Sequence, residues 1–199
     1  MAAIQGSSTT MSYEDFLKAY DGIHAEWVHG EVVPMTPVSP RHQQIAIFLT
    51  ALFQHFCEQR RAGVVLSGPA QMKVGDVARE PDVMVLTAEH ADRIRPSFVE
   101  GAADMVVEII SPESRGRDRG DKYYEYEQAG VREYWLVDPQ RRRAEFYHLT
   151  GDGVYELVRS DERGRFESRV LPGLWIEVGW LWQEPLPPLL GVLKEWGLV

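Results

Sequence analysis

The hexapeptide VVEIIS at residues 106–111 places a glutamate inside a run that otherwise reads as a buried strand. An ionised carboxylate that is taken out of water without a partner costs roughly several kcal/mol, even after the surroundings relax. Glu108 therefore needs a compensating group, and identifying that group is the route from this sequence to a function. The structural alternative is that Glu108 pairs with an arginine and that the strand has no functional role.

Composition and charge narrow the class of protein. The 199 residues are 44% hydrophobic and 26% charged, as in an ordinary globular domain. The 21 Lys+Arg against 30 Asp+Glu give a formal net charge of -9. This argues against a protein that coats nucleic acid, but it leaves room for a local basic groove or a carboxylate metal site. The single cysteine, the polar start and the lack of a long apolar run predict a soluble, cytoplasmic protein.

Hydrophobic periodicity predicts a single domain over residues 12–199, after a flexible N-terminal tail at residues 1–11. A long helix is expected from Pro40 to near Gly63, and a polar helix is expected to end at Gly130. The predicted strands include residues 64–67, 70–74, 79–86, 104–110 and 132–139. This order predicts an α/β (α+β) fold in which helices flank a mixed sheet with added β-hairpins.

A second acid lies in REPDVMVL, residues 79–86, where Asp82 directly follows Pro81. The start of a strand places such a carboxylate at the edge of the sheet, where a ligand can reach it. Two acids on neighbouring core strands repel each other, and this raises one of their pKa values. A divalent cation relieves the repulsion, and Mg2+ suits a site with one or two carboxylates. Asp82 and Glu108 are therefore the predicted metal ligands, with Mn2+ as a possible substitute.

A basic segment follows Glu108. Arg115, Arg117, Arg119 and Lys122 cluster where the polar helix is expected to start. Cations at a helix N-terminus oppose the macrodipole, but together with that terminus they suit a phosphate. Helical side chains tilt toward the N-terminus, so Lys122 is expected to reach back toward the strand ends. The alternative is that these charges form a solvated surface.

An ordered set of residues resembles the Uma-type endonuclease family of the PD-(D/E)XK restriction-endonuclease-like superfamily. The resemblance spans about residues 12–180. It is carried by Glu26 and Gly30 in EWVHGEVV, His42 in SPRH, Arg79, Pro81 and Asp82 in REPD, and Glu108, Ser111 and Pro112 in VEIISP, followed by Asp118, Lys122, Tyr126, Gly130, Tyr134, Trp135, Asp138 and Pro139. The lysine that the superfamily places two residues after the acid is Ile110 here, and the resemblance passes its role to Lys122.

The resemblance implies a Mg2+-dependent endonuclease that hydrolyses DNA phosphodiester bonds. Asp82 and Glu108 would hold a metal that binds a phosphodiester oxygen and lowers the pKa of a water. Lys122 would orient that water or neutralise developing charge. Glu26 would add an outer-sphere or second-metal contact. His42 would touch the metal-bound water or the phosphate, or else make only a helix-start hydrogen bond.

Further residues are expected to support the site or to bind DNA. Arg79 is expected to hold the acid pair by a salt bridge, and Asp118 and Tyr126 are expected to support it. The three arginines are expected to contact DNA phosphates, namely Arg115, Arg117 and Arg119. Trp180, Trp182 and the apolar C-terminal run suggest a homodimer surface.

Two functional classes remain open. The alternative to an enzyme is a non-catalytic nucleic-acid-binding or scaffold protein with a decayed nuclease site. The acidic total and Ile110 favour that alternative, whereas the joint presence of Asp82, Glu108 and Lys122 favours the enzyme. A carboxylate-pair glycosidase has little support, since no sugar-stacking cleft is indicated. The sequence also lacks the motifs of serine hydrolases, P-loop NTPases and dehydrogenases.

Overall fold

The computed structural model describes residues 10–199, which form thirteen strands and five α-helices. The first part comprises α1 (Tyr13–Ala19), β1 (Ala25–Val28), β2 (Glu31–Pro34), α2 (Pro40–Arg60), β3 (Gly63–Ser67), β4 (Met72–Val74), β5 (Val77–Arg79), β6 (Val83–Thr87), a 3₁₀ helix (Ala88–Arg93) and β7 (Val99–Glu100). The second part comprises β8 (Met105–Ile109), α3 (Arg115–Arg119), α4 (Asp121–Ala129), β9 (Glu133–Asp138), β10 (Arg143–Leu149), β11 (Tyr155–Val158), β12 (Arg165–Glu167), β13 (Trp175–Glu177), a 3₁₀ helix (Val178–Trp182) and α5 (Leu189–Glu195).

The predicted N-terminal tail lies outside the described residues except for Thr10 and Met11. Met11 is joined to the neighbouring hairpin, because its N–H donates to Gly30 O at 2.9 Å and its carbonyl accepts from Trp27 Nε1 at 2.8 Å. No helix within residues 10–199 combines the length and the apolar character that a membrane span requires.

The strands form two larger sheets and a two-stranded ribbon. The six-stranded sheet has the order β11-β10-β9-β8-β6-β3, in which only the β8–β9 pair is parallel. The five-stranded sheet has the order β2-β1-β5-β4-β7, and β12 pairs with β13. The predicted fold class, a mixed sheet flanked by helices, is confirmed. Its strands are divided between separate sheets.

The six-stranded sheet is buried on both faces, which explains the nearly continuous apolar runs of its central strands. One face packs against α2, where Leu49, Leu52 and Phe53 are fully buried. The other face packs against α4 through Tyr126. Side chains alternate along a strand, so Glu108 points to the same face as Val106. The glutamate in the apolar run therefore faces α4.

The strand predicted over residues 79–86 is interrupted at residues 80–82. β5 ends at Arg79 in the five-stranded sheet, and β6 begins at Val83 in the six-stranded sheet. Pro81 has no N–H to donate to a ladder, so pairing stops there and the chain crosses from one sheet to the other. Asp82 consequently lies at the junction of the two sheets.

The polar helix predicted to end at Gly130 is also interrupted. Gly120, with φ -116° and ψ -94°, separates α3 from α4. The three arginines therefore lie on α3, whereas Lys122 lies on α4. The single polar helix expected to carry all four cations is instead two helices.

The C-terminal segment packs onto the core. Trp196 makes an edge-to-face contact with Phe56 of α2, with ring centroids 5.8 Å apart. Trp180 is buried beside Trp175, so it belongs to the core and not to an exposed surface. Its burial removes Trp180 from the expected homodimer surface.

Candidate active site

Asp82 and Glu108 are brought together by the pairing of β6 with β8. Val83 is opposite Val107 in this antiparallel ladder, so continuing the register places Asp82 beside Glu108. The main chain fixes the aspartate, since Ile109 N donates to Asp82 Oδ2 at 2.7 Å. The Asp82 side chain is 21% exposed and that of Glu108 is 5% exposed. The pair thus has one accessible and one buried carboxylate.

Lys122 reaches the acids from α4. Its Nζ lies 2.9 Å from Glu108 Oε1, 3.0 Å from Glu26 Oε1 and 3.7 Å from Asp118 Oδ1. Tyr126, one helical turn later, donates its hydroxyl to the same Glu108 oxygen at 2.8 Å. The compensating group that the buried glutamate requires is therefore, in this structure, an ammonium and a phenol from one face of α4.

Glu26 is a fully buried anchor on β1. Its Oε1 accepts from Lys122 and from Glu80 N at 3.2 Å, and its Oε2 accepts from Arg79 Nη1 at 2.9 Å. Burial raises the pKa of Glu26, but the adjacent Lys122 and Arg79 outweigh this and hold the pKa below its usual value. Protein groups engage both carboxylate oxygens, so Glu26 has the geometry of a positioning residue and not of the expected metal contact.

Arg79 does not form the expected salt bridge with Asp82 and Glu108. It pairs with Glu26 and, through Nε and Nη2 at 2.7 and 2.6 Å, with both oxygens of Glu125. The reason is the sheet boundary, since Arg79 ends β5 beside β1 whereas Asp82 lies beyond Pro81. Arg79 supports the site only indirectly, by holding Glu26.

The electrostatics of the site follow from its burial. Burial raises the pKa of Glu108 to about 8 against the opposing effect of Lys122, and the neighbouring carboxylates Asp118, Asp82 and Glu26 add to the increase. Burial lowers the pKa of Lys122, but the surrounding carboxylates more than reverse this, and the pKa is raised overall. Lys122 is therefore a permanent cation among acids.

Asp118 is held by Ser114 and Tyr134. Ser114 Oγ donates to Asp118 Oδ2 at 2.5 Å, and Tyr134 OH donates to the Asp118 carbonyl at 3.0 Å. Burial raises the pKa of Asp118. The serine was missed by sequence reasoning, although its spacing of four residues from Asp118 is the signal that could have identified it.

His42 makes the helix-start hydrogen bond that was one alternative for it, and its ring also contacts Asp82. Its backbone N–H donates to Ser39 Oγ at 3.2 Å at the start of α2, while its imidazole Nε2 lies 3.2 Å from Asp82 Oδ2. The other ring nitrogen, Nδ1, is buried and has no hydrogen-bond partner among the described residues. The imidazole thus contacts Asp82 through one nitrogen and leaves the other unpaired among the described residues.

Two of the three predicted phosphate-binding arginines are paired with carboxylates. Arg115 Nη2 lies 3.4 Å from Asp138 Oδ2, and Arg119 pairs with Glu145. These pairs link α3 to strands β9 and β10. The structure therefore assigns Arg115 and Arg119 a connecting role, and it does not bring them to the acids.

The residues present fit a divalent cation held by two carboxylates. Among residues 10–199, no group of three or more His, Cys, Asp or Glu is arranged to hold a metal ion. The hydrogen bonds above leave Asp82 Oδ1 and Glu108 Oε2 unengaged. Mg2+ commonly binds one or two carboxylates and completes its octahedron with water and substrate oxygens. The donor chemistry of this pair is compatible with such a site.

Two depressions meet at His42. A cleft of about 650 Å³ extends along α2 and is bordered by Glu80 and Asp82. A groove of about 440 Å³ extends the other way, past Ser111 and Gln140. Asp82 borders the first of these, whereas the buried Glu108 lines neither. Sequence periodicity gave no indication of either depression, because each is formed by segments that are distant along the chain.

Comparisons with known proteins identify the family and the fold. A model of the Uma2 family, described as "Putative restriction endonuclease", matches residues 13–179. Two uncharacterized proteins of Synechocystis sp. are 28% and 25% identical over 149 and 139 residues, which cover 72% and 67% of this chain and 76% and 77% of theirs. A crystal structure of a "putative nuclease belonging to DUF820" from Anabaena variabilis superposes with a TM-score of 0.70 at 18% identity, covering 85% of this chain and 96% of the other. At that identity the superposition establishes a shared fold.

Proposed function

The chain belongs to the Uma2 restriction-endonuclease family, and from that premise we propose that it is a Mg2+-dependent endonuclease that hydrolyses DNA phosphodiester bonds. The observation that carries the proposal is the convergence of Asp82, Glu108 and Lys122. These residues come from the junction of the two sheets, from β8 and from α4, and Asp82 opens the group to the cleft along α2.

The two acids would hold the ion through the oxygens that the protein leaves unengaged, Asp82 Oδ1 and Glu108 Oε2. When bound, Mg2+ supplies positive charge against the phosphodiester and favours deprotonation of an attacking water. Ile109 N fixes the orientation of Asp82, and Tyr126 fixes that of Glu108. The protein thus orients both carboxylates before an ion arrives.

Lys122 would place an ammonium beside the reacting phosphate. Glu26 and Glu108 hold its Nζ at 3.0 and 2.9 Å, so the cation needs little rearrangement to stabilise developing negative charge. His42 would donate or accept a hydrogen bond at the same edge, since its Nε2 contacts Asp82. In this assignment Lys122 and His42 act on the substrate, and Glu26 positions Lys122.

One observation favours the alternative of a non-catalytic nucleic-acid-binding or scaffold protein. Lys122 is 2% exposed and already balances Glu108, Glu26 and Asp118, so the network is neutralised in part without a metal. A protein that had lost its nuclease activity would retain such a network for folding. The two functions differ in whether divalent ions bind and DNA is cut.

Nicking of supercoiled plasmid during Mg2+ and Mn2+ titrations tests the proposal. The parent should nick the plasmid, and Asp82→Asn and Glu108→Gln should each lower the rate at least about a hundredfold. Glu89→Gln is the matched control, because Glu89 is an exposed acid away from the site, and this variant should cut like the parent. A folded parent that binds DNA in a gel shift but cuts with neither ion would support the scaffold function.

A further inference from the structure

The cleft beside Asp82 has the size and position of a ligand site. Its volume of about 650 Å³ lies within the range of roughly 300–1,000 Å³ that is usual for small-ligand pockets. One wall is the exposed side of α2, and the others are the loops at residues 35–38 and 67–69. Because Asp82 and His42 form its inner border, an occupant would lie directly beside the proposed scissile phosphate.

The described residues that line this cleft carry no permanent positive charge. None of the described residues that line it is lysine or arginine. Grooves that follow a nucleic-acid backbone depend on such cations to neutralise phosphates. Apolar side chains contribute instead, among them Met35, Val38, Ile47 and Ala51. The cleft is therefore suited to an uncharged, partly apolar group and not to a run of phosphates.

Two buried polar atoms of this lining lack partners among the described residues, namely Thr50 Oγ1 and His42 Nδ1. A helical threonine ordinarily bonds the carbonyl of the preceding turn, and a buried ring nitrogen ordinarily finds a partner. His42 is only 5% exposed. Leaving such enclosed groups unmatched is unfavourable, and a rotation of either side chain toward the cleft would let an occupant with hydrogen-bonding atoms on its edge satisfy it.

We propose that this cleft receives an unpaired nucleobase of the DNA strand whose phosphate lies at Asp82 and Glu108. A nucleobase is flat and largely apolar on its faces, and its edge carries hydrogen-bond donors and acceptors that can engage Thr50 and His42. A base inside a duplex cannot enter a side cleft unless it leaves its partner and its stack. The inference rests on the proposed function, and it specifies the substrate as DNA with a single-stranded or extruded nucleotide.

Binding to three matched oligonucleotides tests this inference. They are a perfect duplex, the same duplex with one unpaired 2-aminopurine, and the single strand, with affinity measured by anisotropy in Ca2+. The parent should bind the two unpaired forms at least about tenfold more tightly than the perfect duplex. The 2-aminopurine fluorescence should change on binding, which reports the environment of the base independently of cleavage.

Two variants locate the preference in the cleft. Thr50→Val removes the unmatched hydroxyl at nearly constant shape, and it should weaken binding of unpaired DNA about fivefold without lowering the melting temperature. Ala51→Phe fills the cleft and should abolish both the preference and the fluorescence change. Gln44→Phe is the control, because it adds the same ring on α2 beside a different groove. If Ala51→Phe does not fold, the affinity of Thr50→Val for unpaired DNA and the 2-aminopurine fluorescence still test the nucleobase site.

The outcomes separate this inference from the proposed function. Equal affinity for all three DNA forms, or unpaired-DNA binding that is unchanged in Thr50→Val and in folded Ala51→Phe, overturns the nucleobase site. Either result leaves metal-dependent nicking of plasmid intact. A parent that binds none of the three DNA forms and nicks no plasmid overturns the endonuclease proposal, and the nucleobase site with it.

Discussion

Replacing Lys122 by methionine removes the one ammonium shared by Glu108, Glu26 and Asp118. Glu26 keeps Arg79 and Glu80 N as partners. Glu108 keeps only the hydroxyl of Tyr126, and Asp118 keeps the hydroxyl of Ser114. Two buried carboxylates would thus lose their compensating cation.

The expected loss of unfolding free energy follows from the partners that these carboxylates lose. Removing one partner of a buried ion pair costs about 3–5 kcal/mol, which is a large part of the roughly 5–15 kcal/mol that stabilises a domain. Glu108 moderates the cost by taking up a proton, because its pKa is already raised to about 8. We expect Lys122→Met to lose about 3 kcal/mol of unfolding free energy at pH 9, and less at pH 6. Its cleavage rate should fall at least about a hundredfold.

The raised pKa of Glu108 determines how the stability of the parent protein changes with pH. The folded pKa of Glu108 lies above its ordinary value of 4.5, so folding favours the protonated form, and stability is lost as the pH rises through about 8. Removing Lys122 takes away the main group that lowers this pKa, so the pKa of Glu108 rises further in the variant. The pH range over which the variant loses stability therefore extends to higher pH.

Urea unfolding of the parent, Lys122→Met and Lys122→Met/Glu108→Gln, in EDTA at pH 6 and pH 9, measures these quantities. The double variant is the matched control, since it carries no carboxylate at position 108 that could be left unpaired. It should regain the part of the lost stability that the unpaired Glu108 causes, while Asp118 still lacks its cation, and it should regain none of the activity. If Lys122→Met is as stable as the parent at pH 9, the buried charge network is not as described, and if it cuts as fast, another group performs the role proposed for Lys122.

Three further predictions concern metal binding and stability. Asp82→Ala and Glu108→Ala should each abolish Mg2+ and Mn2+ binding in calorimetry while remaining folded, and unchanged affinity in both would contradict the metal site. Burial raises the pKa of Asp104, but hydrogen bonds from Thr87 and nearby charges outweigh this effect and lower the pKa overall. The ionised Asp104 therefore stabilises the folded protein above about pH 4, and this stabilisation is lost in more acidic solution. Asp104→Asn should accordingly destabilise the protein by about 1–3 kcal/mol at pH 7, and by much less at pH 2.5, in urea titrations. Gly63→Ala should lose more than about 3 kcal/mol or fail to fold, because the new Cβ would lie 2.1 Å from a backbone carbonyl oxygen of β6, and a normal melting temperature would contradict this packing.

The parts of the fold that sequence reasoning predicted correctly are those set by local pattern. The apolar run around Glu108 and the helical spacing of α2 gave the central strands and their covering helix. The approach of Lys122 to Glu108 followed from the backward tilt of helical side chains, which depends only on local geometry. These features need no knowledge of distant partners.

The errors arose where distant pairing or a single backbone angle decides the structure. Arg79 takes Glu26 as its partner across 53 residues because β5 pairs with β1, and no local signal reveals that choice. The break at Gly120 required a conformation that a polar helical pattern does not exclude. The cleft along α2 likewise depends on loops whose positions are fixed only by the assembled sheets.

The position of Lys122 between the sheets also bears on how this family would evolve after losing activity. Lys122 joins Glu26 of one sheet to Glu108 of the other, so selection for a folded protein alone retains it. Asp82 is held mainly by one backbone N–H and by His42, and an asparagine could accept the same backbone hydrogen bond. In lineages that lack the proposed nuclease activity, we expect substitutions to accumulate first at the position of Asp82, while the lysine is retained for its structural role.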